Sequence, residues 1–136
     1  MTLSEFYSCA GGDYKEVTGR IGNEILVERF LIKFLQDPSF VQLATALEEK
    51  NVQSAFRAVH TLKGVCLNLG LTDLFEVSSA LTEKLRGMDM SGYEPYFEEV
   101  QRVYHRVSGM LQQYITEKNG KQVYNIEQSK TNIRIN

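Results

Sequence analysis

The chain has 136 residues, enough for one domain with a modest core, and 43% of them are hydrophobic, which excludes wholesale disorder. Fifteen basic against seventeen acidic residues leave a formal charge of -2, so there is no electrostatic reason to expect nucleic acid as a partner. No apolar run approaches the roughly 18 residues of a membrane helix, and the start carries Glu5 without a basic cluster, unlike a secretion signal. Cys9 and Cys66 form neither a CxxC motif nor a disulfide framework, so a reducing cytoplasm is the expected compartment.

Two prolines, Pro38 and Pro95, leave a long stretch between them without a helix breaker, rich in Leu, Ala, Glu and Lys, and the protein reads as mostly helical. In chain order, a short helix is expected from Thr2 to Ala10, stopped by Gly11-Gly12. Asp13 then caps a turn containing Tyr14 and Val17, and Gly22-Asn23 breaks it. A stronger helix follows over Glu24 to Leu35, with Ile25, Leu26, Phe30, Leu31 and Phe34 as its apolar positions. Asp37-Pro38-Ser39 stops it and opens another helix to Glu48 or Glu49, and Lys50-Asn51 makes a tight turn.

The next helix, Val52 to Leu69, ends at Gly70. Thr72 or Asp73 caps its successor, which runs to about Arg86. A loop from Gly87 to Gly92 precedes a long helix from Tyr93 to Glu117, with Tyr96, Phe97, Val100, Val103, Tyr104, Val107, Met110, Leu111 and Tyr114 as its apolar positions, ended by Asn119-Gly120. Short loops between long amphipathic helices predict an all-α, up-and-down antiparallel four-helix bundle with short extra N-terminal helices. The domain is expected over 1-118. The remainder, 119-136, is expected to be a polar tail, either flexible or a weak hairpin through Ser129-Lys130-Thr131.

The informative helix is Val52 to Leu69. On a wheel of about 100° per residue, Ala55, Val59, Leu62, Cys66 and Leu69 fall in one sector, a core stripe. Measured from its centre, His60 lies at about 140°, Lys63 at about 80°, Phe56 at about 100°, Leu67 at about 120°, Gly64 at about 180° and Arg57 at about 200°. An outward histidine thus stands among two exposed apolar side chains, two cations and a glycine. A mid-helix glycine costs roughly 1 kcal/mol against alanine. Four residues after His60, it removes the side chain that would crowd the imidazole. Phe56 and Leu67 suit a partner surface better than water, and Lys63 can set an ammonium beside whatever the ring receives. The bland alternative is a solvated histidine on a helix whose glycine accommodates a neighbouring helix. The joint occurrence of His, Lys and Gly on one face favours function.

His60-Thr61-Leu62-Lys63-Gly64, continued by Asn68-Leu69-Gly70, resembles the motif of histidine-containing phosphotransfer (HPt) domains, the four-helix-bundle phosphocarriers of bacterial phosphorelays. The resemblance extends in register from about Tyr14 to Arg86, through the Phe30–Phe34 helix, the Asp37 stop, the lead-in Ala55, Ala58 and Val59, and Leu81, Leu85 and Arg86 afterwards. It implies that His60 carries the phosphoryl group, that Lys63 assists it, and that Gly64 leaves room for a response-regulator receiver domain. Val65, Cys66 and Leu71 are larger than the small residues the family commonly places there, a departure that bears on packing rather than chemistry. The implied partners are a receiver domain, docked on Phe56, Arg57, Gly64, Leu67 and Asn68, and a sensor histidine kinase or hybrid kinase.

The chemistry of the residue types agrees. A free imidazole is largely neutral and nucleophilic near pH 7. A phosphoryl group brings close to two negative charges, which Lys63 and Arg57 can offset. No cofactor, metal, nucleic acid or membrane is expected, and the chain is expected to be a monomer. His60 and His105 are the only histidines, no carboxylate lies three or four residues from His60, and no GxxxxGK or GxGxxG offers a nucleotide site, so the chain is no self-sufficient kinase. His105 reads as a surface or half-buried residue, and Cys66 as a small core hydrophobe. Phe30, Phe34, Tyr96, Phe97 and Tyr104 read as core. The rival reading is a phosphorylation-independent helical module that docks a receiver or kinase domain. A hydrolase using His60 as base lacks a second catalytic group. The intact set of His60, Lys63 and Gly64 favours the phosphocarrier.

Overall fold

The structure, a computed structural model, describes the backbone of residues 1–135 and the side chains of residues 1–120. Within them lie seven helices and no strand: α1 (Leu3–Ala10), α2 (Tyr14–Ile21), α3 (Glu24–Leu35), α4 (Ser39–Glu48), α5 (Val52–Asn68), α6 (Thr72–Leu85) and α7 (Glu94–Ile135). Four of the starts are set by a small polar residue whose side chain takes a backbone N–H of the first turn. Thr2 Oγ1 accepts from Glu5 at 3.1 Å, and Asp13 Oδ1 from Glu16 at 3.0 Å. Asn23 Oδ1 accepts from Ile25 at 2.8 Å, and Asn51 Oδ1 from Ser54 at 3.1 Å. The expected cap of α6 is not used. Leu71 stands at that position without a side-chain hydrogen bond, and the Asp73 carboxylate accepts from Arg106 of α7 at 2.7 Å. A long-range ion pair replaces the local cap.

Helices α4, α5, α6 and α7 pack as successive neighbours, and the ring closes where Phe40 of α4 stacks on Tyr104 of α7, with centroids 3.9 Å apart and planes at 8°. α3 lies outside this ring against α7. Phe34 meets Tyr104, and Glu28 accepts from Tyr114 at 3.0 Å and from Lys118 at 2.5 Å. The core stripe of α5 is buried throughout, from Ala55 through Val59, Leu62 and Cys66 to Leu69. Cys66 and Leu71 are fully buried and Val65 half-buried, so these larger residues are absorbed by packing.

Three sequence expectations change. On α3, Leu31 and Phe34 are buried but Val27 joins them, whereas Ile25, Leu26 and Phe30 are exposed, Ile25 by 65%. α3 is apolar on several faces, and the face that meets α7 decides which is covered. Tyr96 is exposed rather than core, while Phe97 and Tyr104 are half-buried. Finally, α7 runs on through Asn119-Gly120 as far as Ile135, where a flexible tail or weak hairpin was expected over 119-136. A glycine in a helix costs only about 1 kcal/mol, and Lys121, Gln122, Glu127, Gln128 and Lys130 are strong helix formers. Asn136 lies outside the described residues.

Two substitutions on α5 test the phase of the helix. Leu62 is fully buried while Phe56 is only partly so. Leu62→Ala is expected to lower unfolding stability by about 2–5 kcal/mol, and Phe56→Ala by clearly less, as read from urea midpoints. Equal losses would place Phe56 in the core.

Candidate functional site

Both ends of α5 are held firmly. At its start, Lys50 takes a positive φ of 58° and the Asn51 N–H donates to Ala46 at 2.8 Å, reversing the chain from α4. At its end, Gly70 has φ 64°, and the Leu71 N–H returns to the Cys66 carbonyl at 3.0 Å. The terminal carbonyls find partners in the N-terminal helices. Tyr7 Oη donates to Leu69 at 2.7 Å, and Arg20 Nη2 donates to Asn68 at 2.7 Å and to Leu67 at 3.2 Å. The Asp13 N–H donates to Gly70 at 2.9 Å. A cation there also suits the negative end of the helix dipole. Gly12 makes this approach possible, since a Cβ would stand 2.7 Å from the Gly70 carbonyl oxygen.

Between these anchors, the solvent side of α5 carries the predicted residues. His60, Arg57, Leu67 and Asn68 are exposed, Leu67 by 56%, while Phe56, Lys63 and Gly64 are half-buried. The imidazole of His60 stacks on the ring of Phe56, with centroids 6.0 Å apart and planes at 16°. Among the described residues, Lys63 has no ion pair within 4.0 Å. A Cβ added to Gly64 would meet nothing within 4 Å, so this glycine accommodates no neighbouring helix within the domain. The bland explanation for it is thereby removed.

The structure adds two residues that the α5 motif does not contain. The short connection Leu69–Leu71 folds α6 back along α5. This brings the Arg86 guanidinium 5.4 Å from the Phe56 ring centroid, in cation–π contact. Arg86 is also held by Glu83: Nε donates to Oε2 at 3.0 Å and Nη2 to Oε1 at 2.9 Å. The Arg86 hydrogen bond holds the Glu83 carboxyl below the usual carboxylate range; burial opposes it, and the charges of Arg86 and Lys63 add to the lowering. In the sequence, Glu83 and Arg86 look like an ordinary ion pair on a solvated helix face. Only the antiparallel return of α6 brings them beside Phe56 and Lys63.

His105, the other histidine, is exposed on α7 and meets the edges of Phe40 and Tyr104. Arg57 borders a groove between α4 and α5, away from the side of α5 that faces α6. Among the described residues, no group of three or more His, Cys, Asp or Glu is arranged to hold a metal ion, and no helix is long and apolar enough to cross a membrane.

A family model described as "Hpt domain" matches residues 32–116, well over half of the chain and including all of α4, α5 and α6. No curated protein and no solved structure matches the chain. The matched span leaves out α1, α2 and most of α3.

The empty space over Gly64 yields a stability expectation. Gly64→Leu restores helix propensity without a clash inside the domain, so the free protein is expected to be as stable as the parent or more stable, by up to about 1 kcal/mol. Thermal unfolding measures it, and a marked loss would mean the glycine serves internal packing.

Proposed function

The chain belongs to the Hpt domain family, whose members are phosphocarriers of two-component signalling rather than kinases, and we propose that His60 is its phosphoryl-carrying residue. The observation that carries this reading is the open approach to the ring: an exposed imidazole on a helix anchored at both ends, with nothing over Gly64 one turn further on. A donor protein can bring an acyl phosphate up to such a convex face.

In the proposed step, the lone pair of a neutral imidazole nitrogen attacks phosphorus in line with the leaving oxygen. An N–P bond forms as the acyl P–O bond breaks. The aspartate carboxylate of the receiver departs with the electron pair, and the other ring nitrogen releases its proton to water, leaving a neutral ring that bears a doubly charged phosphoryl group. The reverse reaction hands the group on. Phe56 holds one face of the ring, so the imidazole is presented with limited torsional freedom, a contribution of orientation. Lys63 supplies an ammonium on the side where close to two negative charges accumulate. The exposed side chains of Leu67 and Asn68, with Phe56 and Arg57, form the surface on which a receiver domain docks. A sensor or hybrid kinase is the proposed upstream source of phosphoryl groups, and the cytoplasm the proposed compartment.

The phosphorylation-independent docking module remains as a second reading because Phe56 and Leu67 would serve it equally. One experiment separates the two. The protein is incubated with a receiver domain charged with radiolabelled phosphoryl groups, and acid-labile, base-stable label is sought on the chain. Transfer to wild type and none to His60→Gln, with the mutant folded to within about 0.5 kcal/mol, is the expected outcome. Binding without transfer supports the docking module, and label retained by His60→Gln moves the acceptor to another residue.

Phe56→Ala and Leu67→Ala are each expected to weaken receiver binding by about 1 kcal/mol or more, as measured by titration calorimetry. Apolar contacts beside a reactive group supply affinity, while the charges set orientation and rate. Unchanged affinity in both variants would remove this face from the interface.

A further inference from the structure

The pair formed by Glu83 and Arg86 meets Phe56, the ring that stacks on His60, yet takes no part in the phosphoryl step described above. Carboxylate, guanidinium, Phe56 ring and imidazole are linked pairwise as successive neighbours. The contacts are 2.9 and 3.0 Å between Glu83 and Arg86, 5.4 Å from guanidinium to ring, and 6.0 Å from ring to imidazole. Glu83 therefore holds Arg86 by both of its oxygens and also lies within the field of Lys63. This carboxylate pairs with Arg86 and feels the charge of Lys63 more weakly.

Resting on the phosphocarrier reading, we infer that Glu83 is a built-in competitor of the phosphoryl group, which lowers the stability of phosphorylated His60 and keeps the carrier ready to discharge. A phosphoryl group on the ring adds close to two negative charges to the same side of the helix pair. It then competes with Glu83 for Lys63 and Arg86, and the like charges repel. The bonds made and broken are those of the transfer itself, and Glu83 alters only the energy of the charged product. A carrier that must pass its group on is poorly served by cations with no counter-charge, which would hold the group too tightly. Glu83 acts through Lys63 and Arg86, so it is a tuning residue and not a catalytic one.

The test uses the full chain and a purified receiver domain charged with acetyl phosphate, brought to phosphoryl equilibrium at protein concentrations low enough that little complex is present. At fixed total concentrations the ratio of phosphorylated His60 to phosphorylated receiver is then independent of docking affinity and reports the energy difference between the phosphorylated and unphosphorylated chain. Glu83→Gln keeps the shape and one acceptor for Arg86 but removes the charge. Glu76→Gln removes an equal charge from the same face of α6 but two turns earlier, about 10 Å along the axis, where Glu76 lines a groove against Pro95 and Tyr96 of α7. The expected result is a ratio raised about two- to fivefold by Glu83→Gln at low salt, matching the worth of an exposed ion pair. The gain should collapse at 1 M salt, where the screening length is about 3 Å, and Glu76→Gln should leave the ratio unchanged. An unchanged or lowered ratio in Glu83→Gln overturns the inference while leaving the carrier reading intact, as does an equal rise in Glu76→Gln. A wild-type chain that takes no label overturns both.

Discussion

Burial of one stripe of α5 is the constraint on which the rest of the molecule depends. Ala55, Val59, Leu62, Cys66 and Leu69 are packed between α4 and α6 and leave no rotational freedom to the helix. A helix whose rotation is set has its opposite face set as well, since the angular offset between residues is covalent geometry. His60 points to solvent because Val59 and Leu62 do not. The orientation of His60 needs no pocket and derives from apolar contacts on the far side of the same helix.

The second requirement is that the helix not fray near its functional stretch. The last carbonyls of an isolated helix lack partners. Here Tyr7, Asp13 and Arg20 supply donors to Leu67, Asn68, Leu69 and Gly70. These donors come from α1, α2 and their connection, outside the span matched by the family model. In this protein the N-terminal helices are thus structurally tied to the helix that bears His60. Arg20 is doubly employed, since its other contact is the Glu16 carboxylate at 2.9 Å, which keeps the guanidinium aimed at the helix end.

The electrostatics of the site are those of an exposed surface. Arg86 and Glu83 are more than half exposed, so their individual interactions are weak and screened. That suits the proposed transfer of a phosphoryl group. Deeply buried cations would bind a phosphoryl group strongly and obstruct its departure, and a buried histidine could not be reached by another protein. Modest charges, an aromatic ring beside the imidazole, and open space over Gly64 leave the imidazole accessible.

How much of this was legible in the sequence follows from which interactions are local. Helix starts at Thr2, Asp13, Asn23 and Asn51 depend on hydrogen bonds within a few residues; their positions were readable, although Asn23 and Asn51 read as a break and a turn rather than as caps. The α5 stripe was readable too, because helical geometry converts spacing into angle, and with it the outward placement of His60, Leu67 and Gly64. The face of α3 that is buried, the ion pair that Asp73 makes in place of a cap, and the exposure of Tyr96 were not readable, because each is decided by a partner distant in sequence. The continuation of α7 past Gly120 shows the limit of a local stop signal, whose cost of about 1 kcal/mol a run of strong helix formers offsets. By itself the sequence determined most of the helix bounds and the rotation of α5, and with it which residues share the outward face with His60. Only the tertiary structure decided that α6 returns Glu83 and Arg86 to the side of Phe56 and Lys63, because contacts between helices depend on how the chain reverses at Gly70 and not on spacing within either helix.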